Sequence, residues 1–170
     1  MEELTPILIP AAVGFALGGG VLVLARLSAR WPQLGSRRAL GYALVATAAL
    51  YVGLAFASDN VKAWFGIEMT GFAIFGSFGL LGIVGSPWWL VAGFALHPLW
   101  HVQFHYLGTG AVFTPAWFAL GLSGFDAAIA LYVIVALLAG LDASLQRKAP
   151  AAKAEAALTR NERRLAKKSR

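Results

Sequence analysis

The sequence predicts an all-α protein, an integral membrane bundle of about five transmembrane helices, and three observations predict it. Of 170 residues, 59% are apolar and only 13% charged, with a mean hydropathy of +0.69; a soluble domain carries about 25% charged residues. Apolar runs recur at the ~20-residue length that crosses ~30 Å of hydrocarbon. The basic residues gather at the ends of those runs rather than spreading over a surface. Cysteine is absent, which excludes disulfides, thiolate metal sites and cysteine nucleophiles.

The first span covers residues 6–27. It follows the acidic start MEELTP, which lacks the positive region of a signal peptide, so this segment is expected to be retained. Gly14 and Gly18 form a small-xxx-small pair on it, suited to close helix packing. The second span covers 39–57. The third covers 64–85, where Gly76, Gly79, Gly82 and Gly85 recur every third residue and mark a helix–helix seam. The fourth, 87–107, opens at Ser86-Pro87, an N-cap followed by a first-turn proline. Pro98 lies inside it and frees the carbonyl of Phe94. The fifth is placed at 121–141. Thr114-Pro115 repeats the start signature, but a helix from there to Leu141 would be about 40 Å long. Residues 115–120 are therefore expected to form a short interfacial turn or a kinked pre-helix, with SGFD (123–126) capping the span proper. Residues 1–145 make the transmembrane domain in this reading, and 146–170 a basic tail.

Charge sets the expected orientation. Arg26, Arg30, Arg37 and Arg38 surround the first connection, and nine Lys/Arg follow the fifth span, among them Arg163, Arg164, Lys167 and Lys168. An odd number of spans puts both groups on one side, which the positive-inside rule makes cytoplasmic. The N-terminus then faces out and the C-terminus in, with these arginines and lysines at the membrane surface. Trp88 and Trp89 belong to the inner headgroup level, Trp64 and Trp117 to the outer. From Arg147 onward nine basic residues face Glu155 and Glu162, a net +7 that exceeds the +6 of the whole chain. The basicity is a property of the tail, giving no sign of nucleic-acid binding and pointing instead to anionic lipid headgroups. The expected partners are the bilayer itself and a membrane protein or a second copy.

All three histidines fall in HPLWHVQFHY, as His97, His101 and His105, four residues apart and therefore on one helix face. At ~1.5 Å per residue from the outer boundary, His105 lies about 3 Å deep, Glu68 about 6 Å, Asp126 about 7 Å and His101 about 9 Å. A charged group in lipid costs about 2.5–3.5 kcal/mol on the insertion scale. Turning the carboxylates and imidazoles inward, against one another, avoids that cost. Two imidazoles at i and i+4 can grip one metal ion, with carboxylates from neighbouring helices completing the set. The expected ligands of a divalent transition metal are His101, His105, Glu68 and Asp126. His97, about 12 Å from His105 along the axis, is placed behind them with Trp100 as a supporting or relay group. Haem is disfavoured because every histidine sits on one helix. Ser77, Ser86 and Ser123 lack a G-x-S-x-G context. Three readings stay open: a metal-binding protein or metal-dependent membrane enzyme, a proton-coupled small carrier, and an accessory or assembly subunit with a purely structural polar cluster.

GFALHPLWHVQFH, TPAWF and GFDAAIALYV together resemble an uncharacterised family of small bacterial polytopic membrane proteins. That pattern has a Trp/His-rich helix, a Pro/Trp turn and an aspartate opening the last span. The chain departs from it at WHVQFH, where the pattern has an acidic residue after the tryptophan. The resemblance implies a bacterial inner-membrane protein and no known activity.

Overall fold

The computed structural model describes residues 4–31 and 34–146, and these form helices and short connections with no strand among them. Helix α1 spans Thr5–Ser28, α2 Gly35–Leu54, α3 Val61–Val84, α4 Trp88–His101, α5 Ala116–Ala139, and the short α6 Ala143–Gln146. α1, α2 with the 3-10 turn Ala55–Ala57 that extends it, α3 and α5 are each long and apolar enough to cross a membrane. Of the five principal helices, α4 is the shortest. It runs directly into a π-helical turn, Val102–Tyr106, in which the Leu107 N–H donates to the Val102 carbonyl five residues back. The rod from 88 to 106 is thereby about 28 Å long at the α-helical rise.

The helix ends follow local chemistry. Asn60 caps α3 by accepting from the Ala63 N–H. Ser86 accepts from the Trp88 N–H at the start of α4. Gly140 closes α5 in the left-handed conformation at φ 67°, which lacks the Cβ penalty of other residues. One expected boundary is wrong. Residues 115–120 are not a separate interfacial turn: α5 begins at Ala116, directly after Pro115, and runs unbroken through them. Ser123 does not cap a helix either; its hydroxyl donates back to the Ala119 carbonyl inside α5. The length argument failed because α5 ends at Ala139 and a 24-residue helix of about 36 Å is accommodated by tilt.

Leu40 and Leu44 of α2, Phe75 of α3, Leu90 and Phe94 of α4, and Ile129 and Val133 of α5 form the buried apolar centre. The most extensive helix pairing joins α1 to α5, where the two backbones touch. A Cβ on Gly14 would lie 1.7 Å from the Gly121 carbonyl oxygen, and one on Gly124 would lie 2.0 Å from that of Ala11. Gly41 and Gly79 bring α2 and α3 together in the same way. Beside the α1–α5 contact an apolar cleft of about 330 Å³ opens, walled by Pro10, Leu17, Trp117, Phe118 and Phe125.

At the end of the bundle holding the α1–α2 connection, a polar network ties four helices. Arg26 donates to the Tyr132 hydroxyl at 2.8 Å, and Tyr132 donates to Asp142 Oδ2 at 2.9 Å. Ser144 donates to Asp142 Oδ1 through both its hydroxyl and its amide, while its Oγ accepts from the Ser36 amide. Burial alone would raise the Asp142 carboxyl, but the hydrogen bonds from Ser144, Ser36 and Tyr132 prevail and hold it below the ordinary carboxylate value. Arg37 corrects the sequence reading. Expected at the membrane surface with Arg26, Arg30 and Arg38, it is only 5% exposed. Its guanidinium donates to the carbonyls of Gly82 (2.6 Å) and Gly85. A helix leaves its last carbonyls without intrahelical partners, and a cation there is favoured by the dipole. Arg163, Arg164, Lys167 and Lys168 lie outside the described residues.

Candidate metal centre

Four helices deliver side chains to one buried polar compartment. α3 supplies Glu68, α4 supplies His97 and His101, the π turn supplies His105, α5 supplies Asp126 and α2 supplies Tyr51. None of these is more than 2% exposed.

Within the compartment the groups sort into two sets. His97 Nδ1 lies 2.9 Å from Asp126 Oδ2, and His101 Nε2 lies 3.4 Å from the same oxygen. One ligand atom from each of His97, His101 and Asp126 falls within 4.8 Å of the others, a grouping that can hold a metal ion. His105 Nε2 instead faces Glu68 Oε1 at 3.2 Å. The four residues expected to share one ion are thus divided between the two sets, and His97, expected behind the site, stands in the first. Trp100 packs its ring over Gly71 of α3 and against Phe75 and Phe104.

The division has two causes. Straight α-helical counting carries His105 onward along the stripe of His97 and His101, but the chain passes into the wider π turn at Val102. The His97 and His101 rings lie 4.1 Å apart by centroid, whereas those of His101 and His105 lie 6.4 Å apart. Tyr51 lies across both of the latter, stacked at 4.5 Å on His101 and 4.3 Å on His105. The other cause is Asp126, which is an interior residue of an unbroken α5 rather than part of a cap at its start.

The geometry of the contacts narrows the chemistry. The His97–Asp126, His101–Asp126 and His105–Glu68 contacts are each within hydrogen-bond distance, yet these atoms are left without a hydrogen-bond partner. Among the described residues, the buried side-chain nitrogens and oxygens without a hydrogen-bond partner all belong to Tyr51, Glu68, His97, Trp100, His101, His105 and Asp126. Buried polar atoms are almost always paired, and exceptions call for an explanation. Donors bound to one ion at about 2.0–2.2 Å stand roughly 2.9–3.5 Å apart. The spacings of 2.9 and 3.4 Å fit that edge. Two imidazoles and one carboxylate are a donor set used by zinc and by non-haem iron.

Sequence reasoning missed Tyr51 and Thr114. Tyr51 continues the inward stripe of α2 through Leu40, Leu44, Thr47 and Ala48, so a helical-face count identifies it as buried. Thr114 is fully buried, with Oγ1 3.4 Å from His105 Nδ1. It lies on the connection before α5, where residue spacing predicts nothing about contacts. No protein-family model, curated protein or solved structure matches the chain.

Proposed function

We propose that the protein binds a divalent transition metal inside the membrane, through His97 Nδ1, His101 Nε2 and Asp126 Oδ2, and acts as a metal-dependent membrane enzyme. The single observation that carries this reading is the convergence of those three buried atoms without hydrogen bonds to satisfy them. A proton shared between histidine and aspartate would produce aligned hydrogen bonds; converging lone pairs are what an ion requires. Three protein ligands leave at least one coordination position open. Open positions characterise sites that act on a bound molecule, whereas structural sites are closed by four ligands. The reading includes the bacterial inner membrane as location, with the N-terminus outside. The cluster of Arg26, Arg30 and Arg38 near the α1–α2 connection, on the cytoplasmic side under the positive-inside rule, supports this orientation.

Elemental analysis of protein purified in mild detergent, without chelator, tests the proposal. At least one equivalent of a transition metal per chain is expected, absent from the His101→Ala variant. Folded, monodisperse wild-type protein that carries no metal, and takes up none from a solution of zinc, iron(II) or manganese(II), overturns it.

A further inference from the structure

The His105–Glu68 pair sits beside the proposed ion but outside its ligand set, and it repeats the features of that set. His105 Nε2 and Glu68 Oε1 are 3.2 Å apart, 0–2% exposed, and without hydrogen-bond partners. The spacing is again that of two donors on one ion at about 2.0–2.2 Å.

The back of the His105 ring adds an independent observation. Metal-ligating histidines have the remote ring nitrogen held by a polar partner, which fixes ring orientation and tautomer. Thr114 Oγ1 stands at that position, 3.4 Å from Nδ1. Gly110 closes the same side so tightly that a Cβ there would fall 2.7 Å from Nδ1. Trp64 and Phe113 pack on the ring at 5.8 and 5.7 Å. The imidazole is therefore clamped with Nε2 directed at the carboxylate. The Tyr51 hydroxyl, a third buried polar atom without a partner, belongs to a ring stacked on this imidazole at 4.3 Å.

We propose that Glu68 and His105 hold a second divalent cation, with Thr114 as a positioning residue behind His105, so that the compartment is a two-cation centre. The unsatisfied donor atoms favour this arrangement. An ion on the first set leaves the Glu68 and His105 atoms facing each other without a hydrogen-bond partner, in a medium where an unsatisfied polar group is costly. A cation between Glu68 and His105 satisfies both orphan atoms. The inference builds on the proposed function, but its stoichiometry is measured separately.

The test is a titration of chelator-stripped protein with cobalt(II) alone, followed by its visible d–d absorption and by bound-metal analysis after desalting. The wild type is expected to saturate at two equivalents. Glu68→Gln and His105→Asn should each saturate at one, with the absorption of the first site retained. Thr114→Val should still reach two, the second binding about 10-fold more weakly, as loss of an outer partner costs. Wild-type saturation at one equivalent, removed by Asp126→Asn and untouched by Glu68→Gln, overturns the second site and leaves the first. Two equivalents that persist in both Glu68→Gln and His105→Asn also overturn it. No binding at all removes both proposals. Because the wild-type stoichiometry alone can decide, a variant that fails to fold does not rescue the idea.

Discussion

Two buried polar clusters share this bundle, and they are built on opposite terms. The cluster around Asp142 connects Arg26, Tyr132, Ser36 and Ser144 through hydrogen bonds of 2.8–3.1 Å, and Asp142 keeps 6% exposure. The cluster around Asp126 is drier, at 0% exposure, and both oxygens of its carboxylate lack a partner. Both contain one aspartate and several polar neighbours from other helices, so composition does not separate them. Satisfaction does. A closed network braces helices at the mouth of the bundle; the open one leaves fully buried polar atoms whose desolvation no hydrogen bond offsets.

The sharpest way to break this contrast is to neutralise each aspartate in turn. Asp126→Asn should weaken metal binding by more than the roughly 10–100-fold associated with an outer partner. In metal-free protein the same change should raise the thermal midpoint, because it removes an uncompensated buried charge. Asp142→Asn should leave metal content unchanged and lower the midpoint. Thermal unfolding in detergent, with and without chelator, reads both; equal responses of the two variants in stripped protein would erase the distinction.

A smaller effect is expected from Arg37→Ala. It leaves the buried Gly82 carbonyl and that of Gly85, at and just past the end of α3, without their charged donor. The expected loss is about 3 kcal/mol, from hydrogen bonds worth about 1.5–3 kcal/mol each to a charged group. Arg38→Ala measured alongside provides the reference, and a change no larger than that reference would show that the cap contributes nothing.

The smallest effect concerns acid. The folded Asp142 carboxyl lies below its ordinary value of 3.8. Its contribution to stability is therefore complete above that value and disappears as pH falls through the lowered folded value. Wild-type protein should lose stability below about pH 4, and part of that loss should be missing in Asp142→Asn. Parallel acid limbs for the two proteins would remove Asp142 as a contributor.

The fold was legible because hydrocarbon imposes strong demands. Apolar runs of helical length, prolines at helix starts and glycines at four-residue spacing all report on one helix and its immediate neighbour. Gly14 and Gly18 announce a close approach, and the structure places them against Gly121, Phe125 and Ala128. The compartment was legible in part. Glu68, Asp126 and the histidines had to turn inward, and they do. Which groups face which was hidden, because it depends on the rotation of each helix about its axis. The π turn at Val102 shifts His105, and no residue in VQFHY signals it. Arg37 was misread for a related reason: a charge count treats arginines as equal, whereas Arg37 falls on the inward face of α2, beside Ser36 and Leu40.

The pairing of α1 with α5 has a bearing on biogenesis. α1 precedes α5, its main neighbour, by three long helices, and until α5 follows, Gly14 and Gly18 lack the backbone they pack against. Closure of the bundle must wait for α5, which also brings Asp126 to the compartment behind Tyr51.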